Sequence, residues 1–196
     1  MNIKMRKIRK YGDPILRKKS EEVKDIDEKL IKLINSMKET LIDRRGVGLA
    51  AVQIGVLKRI FIAYNPEVEK LITVINPEII EMSGEEIDLE GCLSFPEIYF
   101  SIKRASKTVV KGYNEDGKEI IVEGEGILSR CFQHEIDHLD GILYIDRVEN
   151  ETLNWIDWQD DKDEPDYLPT DIPTIQRFFR KEIHSARKEL VFDRNE

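Results

Sequence analysis

Cysteine and long apolar runs are what this sequence has least of. Two cysteines in 196 residues, Cys92 and Cys131, leave one disulfide as the most that could form, and in a cytosolic chain thiols more often serve metal binding or packing. No uninterrupted apolar run approaches the roughly 20 residues that a membrane-spanning helix needs, so no membrane partner is expected. An excess of positive charge is missing too. A net charge of -8 argues against general nucleic-acid binding, although it leaves room for a local basic patch, and one lies near the C-terminus. The opening "MNIKMRKIRKYGDP" is basic, but neither an apolar block nor a small-residue cleavage site follows, so the chain is expected in the cytoplasm. No internal repeat is visible. The length suits one domain, or one domain with an appendage.

What is present has a clear order. Ile26, Leu30, Leu33, Ile34, Met37 and Leu41 recur every three or four residues between Asp25 and Arg45, which predicts an amphipathic helix stopped by Gly46. "RIFIAY" (59–64) and "LITVINPEII" (71–80) are rich in β-branched and aromatic residues and read as strands punctuated by Pro66 and Pro77. "KTVVKGYNEDGKEIIVEG" (107–124) reads as a hairpin turning at its Asp-Gly. Helical spacing returns from residue 127 to about 140 and ends at Gly141, and "ILYID" after it reads as a strand. Helices early and late with strands grouped between them predict an α+β fold. Beyond Asn150, "WIDWQDDKDEPDYLPTDIPT" reads as an acidic linker, and helical spacing from Ile175 to Val191 as a last amphipathic helix. The expected division is 1–150 as the catalytic unit and 151–196 as its appendage.

The chemistry concentrates in "CFQHEIDHLDG" (131–141). His134 and His138 share one helix face, where both imidazoles can reach one metal ion, and Glu135 lies between them. Phe132, Ile136 and Leu139 imply that the helix is partly buried, which favours ligands over a solvated face. A catalytic site needs a third protein ligand and one open position. The metzincin continuation would place a histidine at residue 144, and Tyr144 stands there. Two sources for the third ligand stay open on the residues alone: Glu149 or Glu151 downstream, as in a small metallopeptidase, or Cys92 in "EGCLSFP" (90–96), which reads equally well as a buried structural cysteine. A metal-stabilised binding protein with an incidental Glu135 is the non-enzymatic alternative. In "GVGLAAVQIG" (46–55) the glycines suit a tight helix-to-strand connection, there is no phosphate-loop ending, and Gln53 is an amide among apolar neighbours that must find a hydrogen-bond partner.

Together "GVGLAAVQIG", "EGCLSFP" and "QHEIDHLDG", in this order and spacing, resemble the three motifs of the peptide deformylases, and "YGDPILRKKSEEV" resembles that family's N-terminal segment. The resemblance covers residues 1 to about 150. It implies antiparallel or mixed strands around a central metal-binding helix, with a C-terminal helix. It makes Cys92, His134 and His138 ligands of one divalent metal ion, ferrous iron before zinc, nickel or cobalt, with water in the fourth position. Glu135 becomes the general base and acid, and Gln53 with the Leu93 backbone N–H stabilises the oxyanion. Val47 and Gly48 hold the substrate chain, and Val47 with Cys131 lines the methionine pocket. The implied reaction removes formate from the N-formylmethionine of new polypeptides, and in some members a basic C-terminal helix docks on the ribosome. Two departures stand out: Val52 occupies a position where many members have proline, and the resemblance assigns no role to the acidic segment after Asn150.

Overall fold

Asp27 caps the first helix, its side chain accepting the Leu30 N–H at 2.8 Å. The computed structural model describes residues 5–148, 153–157, 166–170, 173–175, 177 and 179, and helix α1 runs over Glu28–Asp43. Its buried stripe of Leu30, Leu33, Ile34, Met37 and Leu41 packs on Leu49, Ile60 and Ile62. The helix ends one residue earlier than the glycine suggests. Arg45 takes the left-handed conformation (φ 51°), while the Gly46 N–H returns to the Leu41 carbonyl and the Arg45 N–H to that of Ile42, the double bond of a Schellman end. Gly46 is needed for space, since a Cβ there would lie 2.8 Å from Leu41 and 3.0 Å from Leu93.

Strands β1 (Gly48–Ala50), β2 (Ile60–Asn65), β3 (Lys70–Ser83), β6 (Lys107–Tyr113) and β7 (Glu119–Glu125) form one antiparallel sheet in the order β1-β2-β3-β6-β7. Pro77 does not end β3. Asn76 takes a left-handed conformation (φ 52°) and the pairing with β6 shifts between Ile75 and Glu78, so the proline sits in a bulge where no ladder donor is required. The Asn76 side chain secures the bulge by bonding both the N–H and the carbonyl of Val23, each at 2.8 Å. The β6–β7 turn is longer than a two-residue hairpin: the Asn114 side chain accepts the N–H groups of Asp116 and Lys118, with Gly117 left-handed.

The second sheet departs most from expectation. Strands β4 (Glu86–Cys92) and β5 (Phe95–Arg104) form a hairpin in a stretch to which the sequence pattern assigned no strand, and β8 (Leu153–Asp157) and β9 (Asp166–Thr170) extend it in the order β4-β5-β8-β9. The expected acidic linker is therefore partly strand, because β5 offers an unpaired edge on which β8 satisfies its backbone. "ILYID" likewise is not a strand: Tyr144–Arg147 form a 3-10 turn closed by Asp146, which accepts the Leu143 N–H. Phe95, Ile98, Phe100, Leu143, Tyr144, Ile175 and Phe179 share one core cluster, so the described part of the last helix is seated on this sheet. Most of the helix expected over 175–191 lies outside the described residues.

Helix α2 (Gly126–Leu139) is buried continuously from Leu128 to Leu139. Its apolar residues Leu128, Cys131, Phe132, Ile136 and Leu139 pack on Ala50, Phe61, Ala63, Val74 and Val110 of the first sheet. Arg130, His134 and Asp137 reach the second sheet, while Ser129 and Gln133 bond Thr108 of the first. The result is the α+β arrangement the element order predicts, with α2 at its centre.

Candidate active site

One helical turn separates His134 from His138, and their rings meet edge to face with centroids 4.8 Å apart. The tip of the β4–β5 hairpin brings Cys92 to them: its Sγ lies 3.2 Å from His138 Nε2. One donor atom from each of Cys92, His134 and His138 falls within 4.8 Å of the others. Cys92 is held as the last residue of β4, paired with Phe95 across the turn, and its sulfur also receives the Ser94 N–H at 3.4 Å.

Behind this triangle stands a buried charge network that sequence reasoning missed. Glu90 Oε1 is 2.6 Å from His134 Nδ1, which turns the other ring nitrogen toward Cys92. Arg104 grips Glu90 with two nitrogens at 2.7 and 3.0 Å, and Arg130 adds a third contact at 3.1 Å. Arg104 also reaches Asp137 at 2.6 Å, and Asp137 is held in turn by Arg147. Burial opposes the Glu90 carboxylate, but His134 and Arg104 outweigh it and hold the group well below the usual carboxylate range. Burial also opposes a charged His134, yet Cys92 and Glu90 hold its pKa well above the usual value. For His138 burial wins, reinforced by His134, and the ring stays neutral. Glu90 stands two residues before Cys92, and Asp137 lies inside the His-Glu-x-x-His stretch. An acid flanking a candidate ligand was the signal available.

Glu135 projects from the same helix face. It is 3% exposed, and its Oε2 has no hydrogen-bond partner among the described residues. Burial, with a smaller push from Glu90, raises its pKa to about 7 against the pull of His134. Gly48 makes the room: a Cβ there would lie 2.3 Å from Glu135 Oε1 and 2.6 Å from Cys131 Sγ. Gln53 is oriented from one end, its Oε1 accepting the Ala50 N–H at 2.8 Å. That fixes its NH2 toward Ser94 Oγ (3.3 Å) and Cys92 Sγ (3.5 Å). Leu93 sits in the hairpin turn, its carbonyl accepting Lys10 Nζ at 3.0 Å. Cys131 is buried, its Sγ 3.5 Å from the Val47 carbonyl, and burial pushes its thiol well up from the ordinary range. All of these border a cleft of about 630 Å3 that also touches Cys92, His134 and Glu135.

Val47, Gly48, Gln53, Cys92, Leu93, Cys131, His134 and Glu135 all line this one cleft, and His138 lies against Cys92 beside it. Tyr144, at the position a metzincin would give to histidine, is buried instead, its hydroxyl donating to the Ile98 carbonyl at 3.0 Å and its ring against His134. Glu149 and Glu151 lie outside the described residues. A thiolate with two imidazoles is a donor set suited to one divalent ion of the zinc or ferrous kind. His138 Nδ1 and Glu135 Oε2 are buried polar atoms for which the described residues supply no partner, so the site is built for more than its own side chains.

Comparison with known proteins shows the family. The family profile described as polypeptide deformylase matches residues 5–154. The peptide deformylase of Halothermothrix orenii is 54% identical over 141 residues, spanning 72% of this chain and 92% of that protein. That of Carboxydothermus hydrogenoformans is 50% identical over 144 residues, spanning 74% and 93%. Among solved structures, the peptide deformylase of Thermotoga maritima is similar with a TM-score of 0.71 at 45% identity, covering 75% of this chain and 99% of that one. The Synechococcus elongatus enzyme in complex with actinonin has a TM-score of 0.71 at 34% identity, covering 76% and 85%.

Proposed function

Because the chain belongs to the polypeptide deformylase family, enzymes that remove the N-formyl group from nascent peptides, we propose that Cys92, His134 and His138 hold its one divalent metal ion and that Glu135 carries the proton. Ferrous iron is the ion of choice, with zinc, nickel or cobalt as alternatives that suit the same donors. When bound, the ion supplies Lewis acidity that makes hydroxide available near neutral pH.

The chain's own residues do the rest. Glu135, poised at about 7 by burial, takes a proton from the attacking water and returns it to the departing amine, general base becoming general acid. Gln53, its carbonyl end occupied by Ala50, presents N–H donors where charge gathers on the former formyl oxygen. The Leu93 N–H in the hairpin turn is the second donor. Losing one such donor typically costs about 100-fold or more in rate. Glu90 fixes the tautomer and tilt of His134. The Gly48 backbone and Val47 hold the substrate chain, and Val47 with Cys131 receives the methionine side chain, for which an apolar wall is suited.

The observation that carries this reading is the convergence of Cys92, His134 and His138 on one point beside a buried, unpartnered Glu135. The substrate is the formylmethionyl end of a new polypeptide, and the working site is the cytoplasm. No described helix is long and apolar enough to cross a membrane. Residues 1–150 form the catalytic unit and 151–196 its appendage, with ribosome contact assigned to the basic helix after Ile175. Anaerobically purified protein should release formate from a formyl-Met peptide and leave the peptide bonds of its unformylated twin intact. Cys92→Ser should abolish both metal retention and activity. Formate release undiminished in Cys92→Ser would transfer the third-ligand role elsewhere.

A further inference from the structure

The cleft has one wall whose charge the reaction does not use. Lys7, Lys10, Arg44 and Arg45 border it on the side formed by the N-terminal segment and the end of α1, in a chain whose net charge is -8. Lys10 is engaged with the Leu93 carbonyl, and Arg44 pairs with its neighbour Asp43 at 3.3 Å. Lys7 and Arg45 are exposed, and neither has an ion-pair partner among the described residues. Of the acids that border the cleft, Glu90 and Glu135 are buried within the site, and Glu97 is exposed on β5.

Arg45 also holds its place at a cost. It occupies the left-handed position that ends α1 (φ 51°), where glycine is favoured and any Cβ is strained. A cation just past a helix C-terminus complements the helix dipole, but Arg44 already serves that purpose from the cap position. The substrate supplies the complement. Formylation removes the positive charge of its amino terminus, so charge enters the cleft only from side chains that follow the methionine.

We propose that the wall formed by Lys7, Arg44 and Arg45 is a specificity element favouring formylated chains with aspartate or glutamate in the first few residues after methionine. This rests on the deformylase reading above and extends it beyond the first residue. Exposed cations act through modest, screened attractions, so the expected preference is graded and depends on salt.

The test compares kcat/KM for formyl-Met-Ala-Asp-Glu amide and formyl-Met-Ala-Asn-Gln amide on the full chain loaded with metal. Amidated ends remove the terminal carboxylate, and a free-acid arm of the neutral peptide measures what that carboxylate alone contributes. The acidic peptide should lead by about three- to tenfold at low ionic strength, mainly through KM, and the lead should vanish in about 1 M salt. Arg45→Glu should bring the ratio to one or below, and Lys7→Glu, which leaves α1 untouched, should lower it as well. A role confined to the helix end would lower the melting temperature of Arg45→Glu and leave the ratio unchanged, which overturns the proposal. Equal rates on the two peptides by the unaltered enzyme overturn it too, while leaving deformylation standing. Formate from neither peptide removes the underlying reading and the proposal with it.

Discussion

Glu90 meets His134 at 2.6 Å between Oε1 and Nδ1, while two guanidiniums hold the same carboxylate from behind. The orientation of His134, a proposed ligand, is thus set by a carboxylate outside the proposed ligand set. Glu90→Gln should keep the shape and lose the charge, weakening metal affinity by about 10–100-fold as measured by competition with a chelating indicator. Glu90→Leu strands Arg104, whose side chain is 3% exposed, and should cost roughly 3–5 kcal/mol in chemical denaturation. Unaltered metal affinity in both variants would detach Glu90 from the site.

Gly48→Ala should separate activity from folding. The added methyl has to displace Glu135 Oε1 or Cys131 Sγ, and a misplacement of this size at a reacting group can cost about 100-fold in rate. Overpacking of one methyl costs about 1–3 kcal/mol, so the circular dichroism spectrum should persist while kcat falls. Full activity would contradict the close approach.

The two thiols should react differently. Burial keeps Cys131 protonated well above neutral pH, so it should resist iodoacetamide until the protein unfolds. Cys92, half-buried at the cleft, should be alkylated in metal-free protein and protected by added metal. Peptide mapping by mass spectrometry distinguishes the two, and rapid labelling of native Cys131 would refute the packing described.

Phe179 lies at 1% exposure against Tyr11 and Phe95, with ring centroids 5.6 and 5.7 Å away. Phe179→Ala should therefore destabilise the whole protein by about 3–5 kcal/mol, read from urea melts. A wild-type melt would mean that the last helix is held elsewhere, leaving its role to an external partner such as the ribosome.

Asp146 ties the 3-10 turn to Arg17. Burial opposes its ionisation, but Arg17 and the Leu143 N–H prevail and lower its pKa. A depressed folded pKa contributes stability that is present above the unfolded value and is lost as pH falls through the folded one. Asp146→Asn should accordingly be less stable than wild type near neutral pH and converge with it as acid takes the pH below the folded pKa, the gap shrinking in salt because the pair is partly exposed. A gap independent of pH would assign the loss to the backbone bond alone.

The elements that sequence made legible are those with local causes. Periodicity marked α1 and α2 because each buries a stripe whose spacing is written in consecutive residues, and the His134–His138 pair followed from the same geometry. Cys92 could be weighed but not decided from the residues alone, because its nearness to His138 depends on a hairpin whose strands carry charges and one short apolar alternation. Glu90, Arg104 and Asp137 were missed for a related reason: buried charges look like surface charges until their partners, many positions away, are known. Residues 153–157 and 166–170 read as linker because acids and prolines dominate there. Their pairing comes from the open edge of β5, which no local pattern announces.

That edge has a further consequence. β5 carries Phe95, Ile98, Phe100 and Ile102 on its buried side, and β8 occupies its outer row of main-chain groups through Ile98, Tyr99 and Phe100. Among the described residues the sheet then ends on β9, a strand whose sequence contains Pro169 and begins at Asp166, features that discourage another strand from adding. A protein cut before Leu153 would instead offer a bare β-edge to every extended chain nearby. An enzyme whose substrates are unfolded polypeptide ends would then be exposed to aggregation with them, so the β8–β9 pair serves as a cover for that edge.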